Sequence, residues 1–258
     1  MSLNVISYSL FLQGNISSFS KYIVGVRECI KTRDLYFSKY HIYIFYDDSL
    51  EKNKRYGLPL LYIIKSLVCK NIRCFKVKGL ENHPTYVRAG YRFLALKKTD
   101  VNIVLFRDID SPLTRLDRNY VDNWITISRE SVMTYRSIVC TDDSIVQYSG
   151  GGTSINKSLL INKFISYKTF IPCFMKIYSN LYHRVDYRGF DEFYLTKLLS
   201  GETTRVVKMF TIKEGIDKNK WFPFFENQES SETKEPLLDF VKQCDKNIIK
   251  RYLKRKLT

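Results

Sequence analysis

Asp108 and Asp110 stand two residues apart at the end of Asn102-Ile103-Val104-Leu105-Phe106-Arg107. Two carboxylates so spaced on an ordered strand end offer hard oxygen ligands to Mg2+ or Mn2+. Such a cation takes few protein ligands and fills its shell with phosphate oxygens and water, so the pair suits a diphosphate. The chain has fifteen aspartates, and that number produces about one Asp-x-Asp by chance. Placement is therefore what matters. The apolar run Ile103 to Phe106 reads as a strand buried on both faces, and Ser111-Pro112 turns the chain after it. In an open α/β sheet, ligands gather at the carboxyl ends of the strands. Arg107 lies beside the acids, and Gly150-Gly151-Gly152 follows further on. The competing assignment is a polar turn in which Asp110 caps the next helix. The chemistry indicated is that of a metal-dependent enzyme acting on a nucleotide diphosphate.

The elements that must position these residues alternate. Asn4 to Leu12 reads as a strand closed by Gln13-Gly14-Asn15. Ser17 and Ser18 are placed to cap a helix from Phe19 to Phe37, on which Tyr22, Ile23, Val26 and Ile30 recur at helical spacing. A strand over Tyr40 to Tyr46 ends in Asp47-Asp48-Ser49. A helix over Leu58 to Val68, a strand over Ile72 to Val77 and a helix over Thr85 to Lys97 lead to the acid-bearing strand. Strand–helix alternation of this kind predicts an α/β fold with a mostly parallel sheet flanked by helices. Leu113 to Ile127 is an amphipathic helix, Ser131 to Tyr148 holds short strands, and Lys157 to Tyr182 reads as helix interrupted at Pro172. The triple glycine permits either close backbone approach to a ligand or a turn with positive φ. Neither G-x-x-x-x-G-K-[ST] nor G-x-G-x-x-G occurs, which argues against a P-loop or Rossmann enzyme.

The 258 residues suit one large domain, 1–225, followed by a polar linker and a basic amphipathic helix over 226–258. In that arm Ile248, Ile249, Tyr252, Leu253 and Leu257 share a face opposite Lys246, Lys250, Arg251, Lys254, Arg255 and Lys256. Such a helix can lie on an anionic membrane or pack on its own domain. A net charge of +16 implies an anionic partner. No run reaches the ~18 apolar residues of a membrane span. The six cysteines form no zinc or C-x-x-C pattern and read as reduced core residues. The expectation is a soluble intracellular protein, in the host cytoplasm if viral.

Taken together, four segments resemble a family. Arg92-Phe93-Leu94-Ala95-Leu96 followed by Arg107-Asp108-Ile109-Asp110-Ser111 looks like the R-F-x-P-L … R-D-x-D-S pattern of GT-A-type glycosyltransferases, found in small bacterial and large-virus members. Tyr120-Val121-Asp122-Asn123-Trp124-Ile125 resembles their A-V-x-E-W-L helix. Gly150 to Ile155 resembles the I-x-G-G-x-W/F segment, and Arg188-Gly189-Phe190-Asp191-Glu192-Phe193-Tyr194-Leu195 the Y-G-x-D-Q-x-F-L motif. The matches fall in the family's order between Arg88 and Leu199. Pro112 replaces an arginine, Glu192 a glutamine, and Met133 to Arg136 matches the family's histidine-containing segment poorly.

The resemblance implies a GT-A-like mixed, mostly parallel sheet and a nucleotide-diphosphate sugar as donor. Asp108 and Asp110 would hold the metal, Mn2+ or Mg2+, with Arg92 close by. Gly151 and Gly152 would line the sugar and acceptor side, while Ser7, Tyr8, Ser9 and Asp47 would flank the base. Asp191 would meet the donor sugar or the acceptor hydroxyl, and is the base expected if the outcome is inversion. Arg92 and Arg107 are placed to neutralise the leaving diphosphate. The acceptor would be a hydroxyl of a glycan, protein or lipid. The rival readings are a metal-dependent nuclease and a basic nucleic-acid-binding protein; no sequence-reading motif supports the latter.

Overall fold

The computed structural model describes residues 2–12, 16–69, 71–78, 85–135, 148, 150–161, 195, 198–199 and 202–207, with backbone alone for 16–20, 85, 86 and 206. Asp191, His183 and the arm over 226–258 lie outside the described residues.

Among the described residues, seven strands form one mixed, mostly parallel sheet: β1 (Leu3–Leu10), β2 (His41–Tyr46), β3 (Ile72–Lys76), β4 (Val101–Phe106), β5 (Val132–Thr134), β6 (Thr153–Asn156) and β7 (Thr204–Val206). Their order is β3-β2-β1-β4-β6-β5-β7. The first four run parallel, as the strand–helix alternation requires. β6 is antiparallel to both β4 and β5, and β7 is parallel to β5.

Period-two alternation along the central strands builds two cores. Ile6, Tyr8 and Leu10 of β1, Ile42, Ile44 and Tyr46 of β2, and Ile103 and Leu105 of β4 share one face. They pack there with α1 (Ile16–Tyr36), α3 (Gly57–Ser66) and α5 (Arg115–Ile127). Val5, Tyr43, Phe45, Val104 and Phe106 fill the other face, against α4 (Thr85–Ala89) and a 3-10 helix (Gly90–Lys97). A short α2 (Ser49–Lys52) follows β2.

The structure corrects several sequence expectations. α1 begins at Ile16, ahead of Ser17 and Ser18, so those serines are inside the helix. The helix expected over Thr85 to Lys97 changes at Gly90 into a 3-10 helix. Hydroxyls from β1 account for this. Ser9 Oγ takes the Arg92 N–H at 2.8 Å and donates to Ala89 O at 2.6 Å, and Ser7 Oγ donates to Arg92 O at 2.6 Å. Tertiary bonds thereby divert backbone groups that an α-helix would pair internally. The cap of α5 is Thr114, which accepts from Asp117 N at 3.0 Å, so Asp110 has no capping role there. Of the helix expected over Lys157 to Tyr182, residues 162–182 lie outside the described residues, and Lys157–Leu159 form one 3-10 turn. The Ile161 N–H turns instead to Glu202 Oε2 at 3.0 Å.

A buried ion pair fastens α5 to the end of β4. Arg107 Nη2 meets Asp117 Oδ1 at 2.9 Å and Nε meets Oδ2 at 3.3 Å, with both side chains almost fully enclosed. Arg107 also donates to Phe106 O, Thr153 O and the Tyr135 hydroxyl. Removing one member of a buried pair leaves its partner uncompensated. Arg107→Ala and Asp117→Ala should each lower stability by roughly 3–5 kcal/mol. The double replacement should cost less than the sum, as read from urea unfolding followed by circular dichroism.

Candidate active site

The strand alternation that fills the cores continues past Phe106. Arg107 turns toward α5, and Asp108 returns to the face of the 3-10 helix. There the Arg92 guanidinium meets Asp108 Oδ1. Arg92 is itself fixed: Nε donates to Ala89 O at 3.0 Å and Nη1 to Arg107 O at 3.2 Å. Asp108 keeps half of its side chain, 50%, exposed to solvent. It is thus aimed by a buried arginine while remaining open to a ligand.

The glycine cluster reaches Asp108 through sheet register. β6 pairs with β4 as Leu105 with Ser154 and Val104 with Ile155. Continuing that antiparallel register beyond the strand sets Gly151 opposite Asp108. The two are in contact: a Cβ on Gly151 would lie 2.6 Å from Asp108 Cγ and closer still to Oδ2. Close approach, not a left-handed φ, is what demands glycine at 151. Gly152 is buried, and its carbonyl accepts the Tyr135 N–H at 3.3 Å.

Asp110 faces the opposite wall, formed by α1. Lys21 Nζ pairs with Asp110 Oδ2. One turn further, a Cβ on Gly25 would sit 2.9 Å from Asp110 Cα, closer still to Ile109 O. Another turn on, the Cys29 thiol donates to Ile109 O at 3.4 Å, and Thr32 Oγ1 accepts from Leu113 N at 3.1 Å. Residues 21, 25, 29 and 32 share one helix face, so α1 is zipped along the whole acid-bearing loop. Tyr22, next to Lys21 on α1, is partly buried against the α1-side core. Burial pushes its phenol up to about 12, the Asp110 and Asp108 charges add to the rise, and Arg88 and Arg92 oppose it.

The other expected site residues have mixed positions. Asp47 is 0% exposed, and its carboxylate accepts from Arg88 Nε at 2.7 Å, Arg88 Nη2 at 3.0 Å and the Tyr91 hydroxyl at 3.2 Å. Ser49 adds its N–H and hydroxyl. This knot joins the ends of β1 and β2 to α4, and Arg88 stacks over the Phe11 ring at 4.6 Å. Ser9 is committed to the 3-10 helix, as above. Tyr8 is enclosed in the α1-side core beside Cys29, and Arg107 is committed to Asp117. The structure therefore brings together Asp108, Arg92 and Gly151, and sets Asp110 against α1. It sets Tyr8, Ser9, Asp47 and Arg107 into the supporting walls. Lys21 joins the site without a sequence signal, because its contact with Asp110 spans nearly ninety residues.

No protein-family model and no curated protein matches the sequence. Among solved structures, Staphylococcus aureus TarS 1-349 is similar at 12% identity and a TM-score of 0.45, with 82% of this chain and 59% of that chain covered. The mannosyltransferase PcManGT of Pyrobaculum calidifontis, in complex with GDP-Man and Mn2+, has 11% identity and a TM-score of 0.45. That match covers 85% of this chain and 58% of the other. The 4-diphosphocytidyl-2C-methyl-D-erythritol synthase of Anaerococcus prevotii has 11% identity and a TM-score of 0.43 over 80% of this chain and 87% of its own. The chain thus spans under two thirds of the first two proteins.

Two measurements check this geometry. Gly151→Ala should leave the unfolding midpoint within about 1 kcal/mol of the parent, since Asp108 is half exposed and can swing away. It should nevertheless displace the carboxylate, seen as a moved Asp108 in a crystal structure. Burial also pushes the Cys29 thiol up to about 12, against a usual value of 9.0. The unfolded chain gives up this proton first, so the stabilisation is complete below pH 9 and is lost as pH rises toward 12. Cys29 should resist a thiol reagent at pH 8 until the chain unfolds, while the exposed Cys69 reacts at once.

Proposed function

We propose that this chain is a nucleotide-sugar-dependent glycosyltransferase of the GT-A type, with Asp108 and Asp110 holding Mg2+ or Mn2+. One observation carries the reading. A half-exposed carboxylate at the carboxyl end of a central strand is aimed by a buried arginine and lies against bare glycine backbone. The order of the four motif-like segments supports the same reading.

The donor set fits such a cation. Among the described residues, no group of three His, Cys, Asp or Glu side chains could enclose a metal. Two carboxylates suit an ion that draws its remaining ligands from phosphate oxygens and water. When bound, that ion would act as a Lewis acid on the leaving diphosphate. The chain's own contribution is positional and electrostatic. Arg92 orients Asp108, Gly151 leaves the approach to it clear, and α1 holds Ile109 and Asp110 in place. Preorganised charge of this kind stabilises a departing diphosphate without reorganisation during the reaction. Asp191 is our proposed base for the acceptor hydroxyl, on the motif resemblance alone. A glycan, protein or lipid supplies that hydroxyl, and the basic arm over 236–258 would hold the protein at an anionic membrane surface in the cytoplasm.

Thermal denaturation with UDP or GDP, with and without Mn2+, tests the proposal. A nucleotide at 100 times its Kd adds roughly 2.7 kcal/mol to apparent stability. That gain should require Mn2+ and should vanish in Asp108→Asn and Asp110→Asn, each folding as the parent does. Stabilisation indifferent to Mn2+ and to both substitutions would overturn the metal role. Mg2+-dependent cleavage of DNA, abolished by the same substitutions, would favour the nuclease.

A further inference from the structure

Two serines stand on β1 where the sheet face toward the 3-10 helix is largely apolar. Ser7 and Ser9 alternate with Ile6, Tyr8 and Leu10, so they continue the row begun by Val5. Ser7 is 0% and Ser9 9% exposed. A hydroxyl buried this deeply costs free energy unless it is bonded, and both are bonded to the segment that carries Arg92. Ser9 does more than hold backbone. Its Oγ accepts from Arg92 N at 2.8 Å and donates to Ala89 O at 2.6 Å. Arg92 Nε donates to that same Ala89 oxygen at 3.0 Å. One hydroxyl thus fixes the amide from which the arginine side chain springs and the carbonyl on which its Nε rests. Only a group that both accepts and donates can do this. Register carries the effect to the acid. Ser7 pairs with Phe106 of β4, and the Arg107 N–H continues the ladder to Ser7 O at 3.1 Å. Extended further, the same parallel register sets Ser9 level with Asp108, the carboxylate that the Arg92 guanidinium meets.

We infer that Ser9 is a positioning residue of this site: its hydroxyl fixes Arg92 and, through Arg92, the direction of the Asp108 carboxylate. This rests on the metal and nucleotide reading above. Ser9 acts here through the arginine and not by touching ion or donor. Arg88 and Arg107 face carboxylates that are sealed inside the fold, whereas the serine steadies an arginine whose carboxylate is half open. Groups that orient a ligand from behind in this way commonly alter metal affinity by roughly tenfold or more when removed.

The test compares the full chain with Ser9→Ala, Ser9→Cys, Arg92→Gln, Asp108→Asn and the double variant Ser9→Ala/Arg92→Gln. Ser9→Cys keeps a side chain of similar shape with a weak donor and acceptor, and it serves where Ser9→Ala does not fold. Exchange of arginine Nε–H protons with solvent is followed by nuclear magnetic resonance, the Arg92 signal being the one absent from Arg92→Gln. Binding of UDP or GDP in Mn2+ is measured by calorimetry. In both serine variants the Arg92 Nε–H should exchange faster, while the Arg107 Nε–H, held by Asp117 on the α5 side, should keep its rate. Nucleotide should bind roughly tenfold more weakly, and Ser9→Ala should add nothing to the loss already made by Arg92→Gln. Unchanged Arg92 exchange, or the same loss repeated in the Arg92→Gln background, would overturn the inference and leave the acid pair standing. Faster exchange at Arg92 and Arg107 alike would mark a general loosening and also overturn it. Parent binding indifferent to Asp108→Asn would instead remove the metal reading, and this inference with it.

Discussion

The antiparallel pairing of β6 on β4 is the constraint on which the site depends. β4 belongs to a parallel block with β1, β2 and β3, and its last apolar residue places Asp108 at the sheet's carboxyl edge. A parallel neighbour on the other side would bring its own carboxyl end there. An antiparallel neighbour brings its beginning, and what precedes β6 is Gly150-Gly151-Gly152. Register then decides which glycine meets the acid. A shift of one residue would oppose Gly150 or Gly152 to Asp108 and reverse which face each β6 side chain occupies.

Around that contact, buried charge is used to fix walls. Asp47 with Arg88 ties the ends of β1 and β2 to α4, and Arg107 with Asp117 ties the end of β4 to α5. Such pairs gain little net stability over apolar packing, because both ions give up water. What they do add is a single geometry, since a guanidinium held at several points leaves its carboxylate no alternative arrangement. Arg92 extends this scheme to the site itself, with the difference that its carboxylate partner remains half in solvent. The gradient from sealed pair (Asp47) to half-open pair (Asp108) to lysine-capped acid (Asp110) separates framework from chemistry.

α1 supplies the remaining wall. Its close approach to Ile109 and Asp110 is possible because Gly25 has no side chain and Cys29 is small and donates a weak thiol hydrogen bond. Burial and the neighbouring carboxylates together hold both the Cys29 thiol and the Tyr22 phenol protonated well above neutral pH. The helix thus presents neutral groups to the loop's inner side and one cation, Lys21, at its mouth.

Much of this was legible in the chain. Period-two and period-3.6 patterns determined β1 to β4, α1, α3 and α5 within a few residues, since each pattern is local and each face is buried. The apolar run before Asp108 announced its place at a strand end. The motif-like order set Arg92 near the acids, and the structure pairs it with Asp108. Local patterns failed where distant groups rewrite the backbone: Ser7 and Ser9 turn the segment after Ala89 into a 3-10 helix. Residue type also does not show that the polar groups of Ser9, Asp47 and Arg107 have partners within the fold. Sequence by itself determined the elements and the acids, because hydrophobic period and residue type are properties of neighbours. Only the tertiary structure decided which acid stays open, which arginine aims it and which helix closes the crevice, because strand order and register bring together residues nearly ninety positions apart.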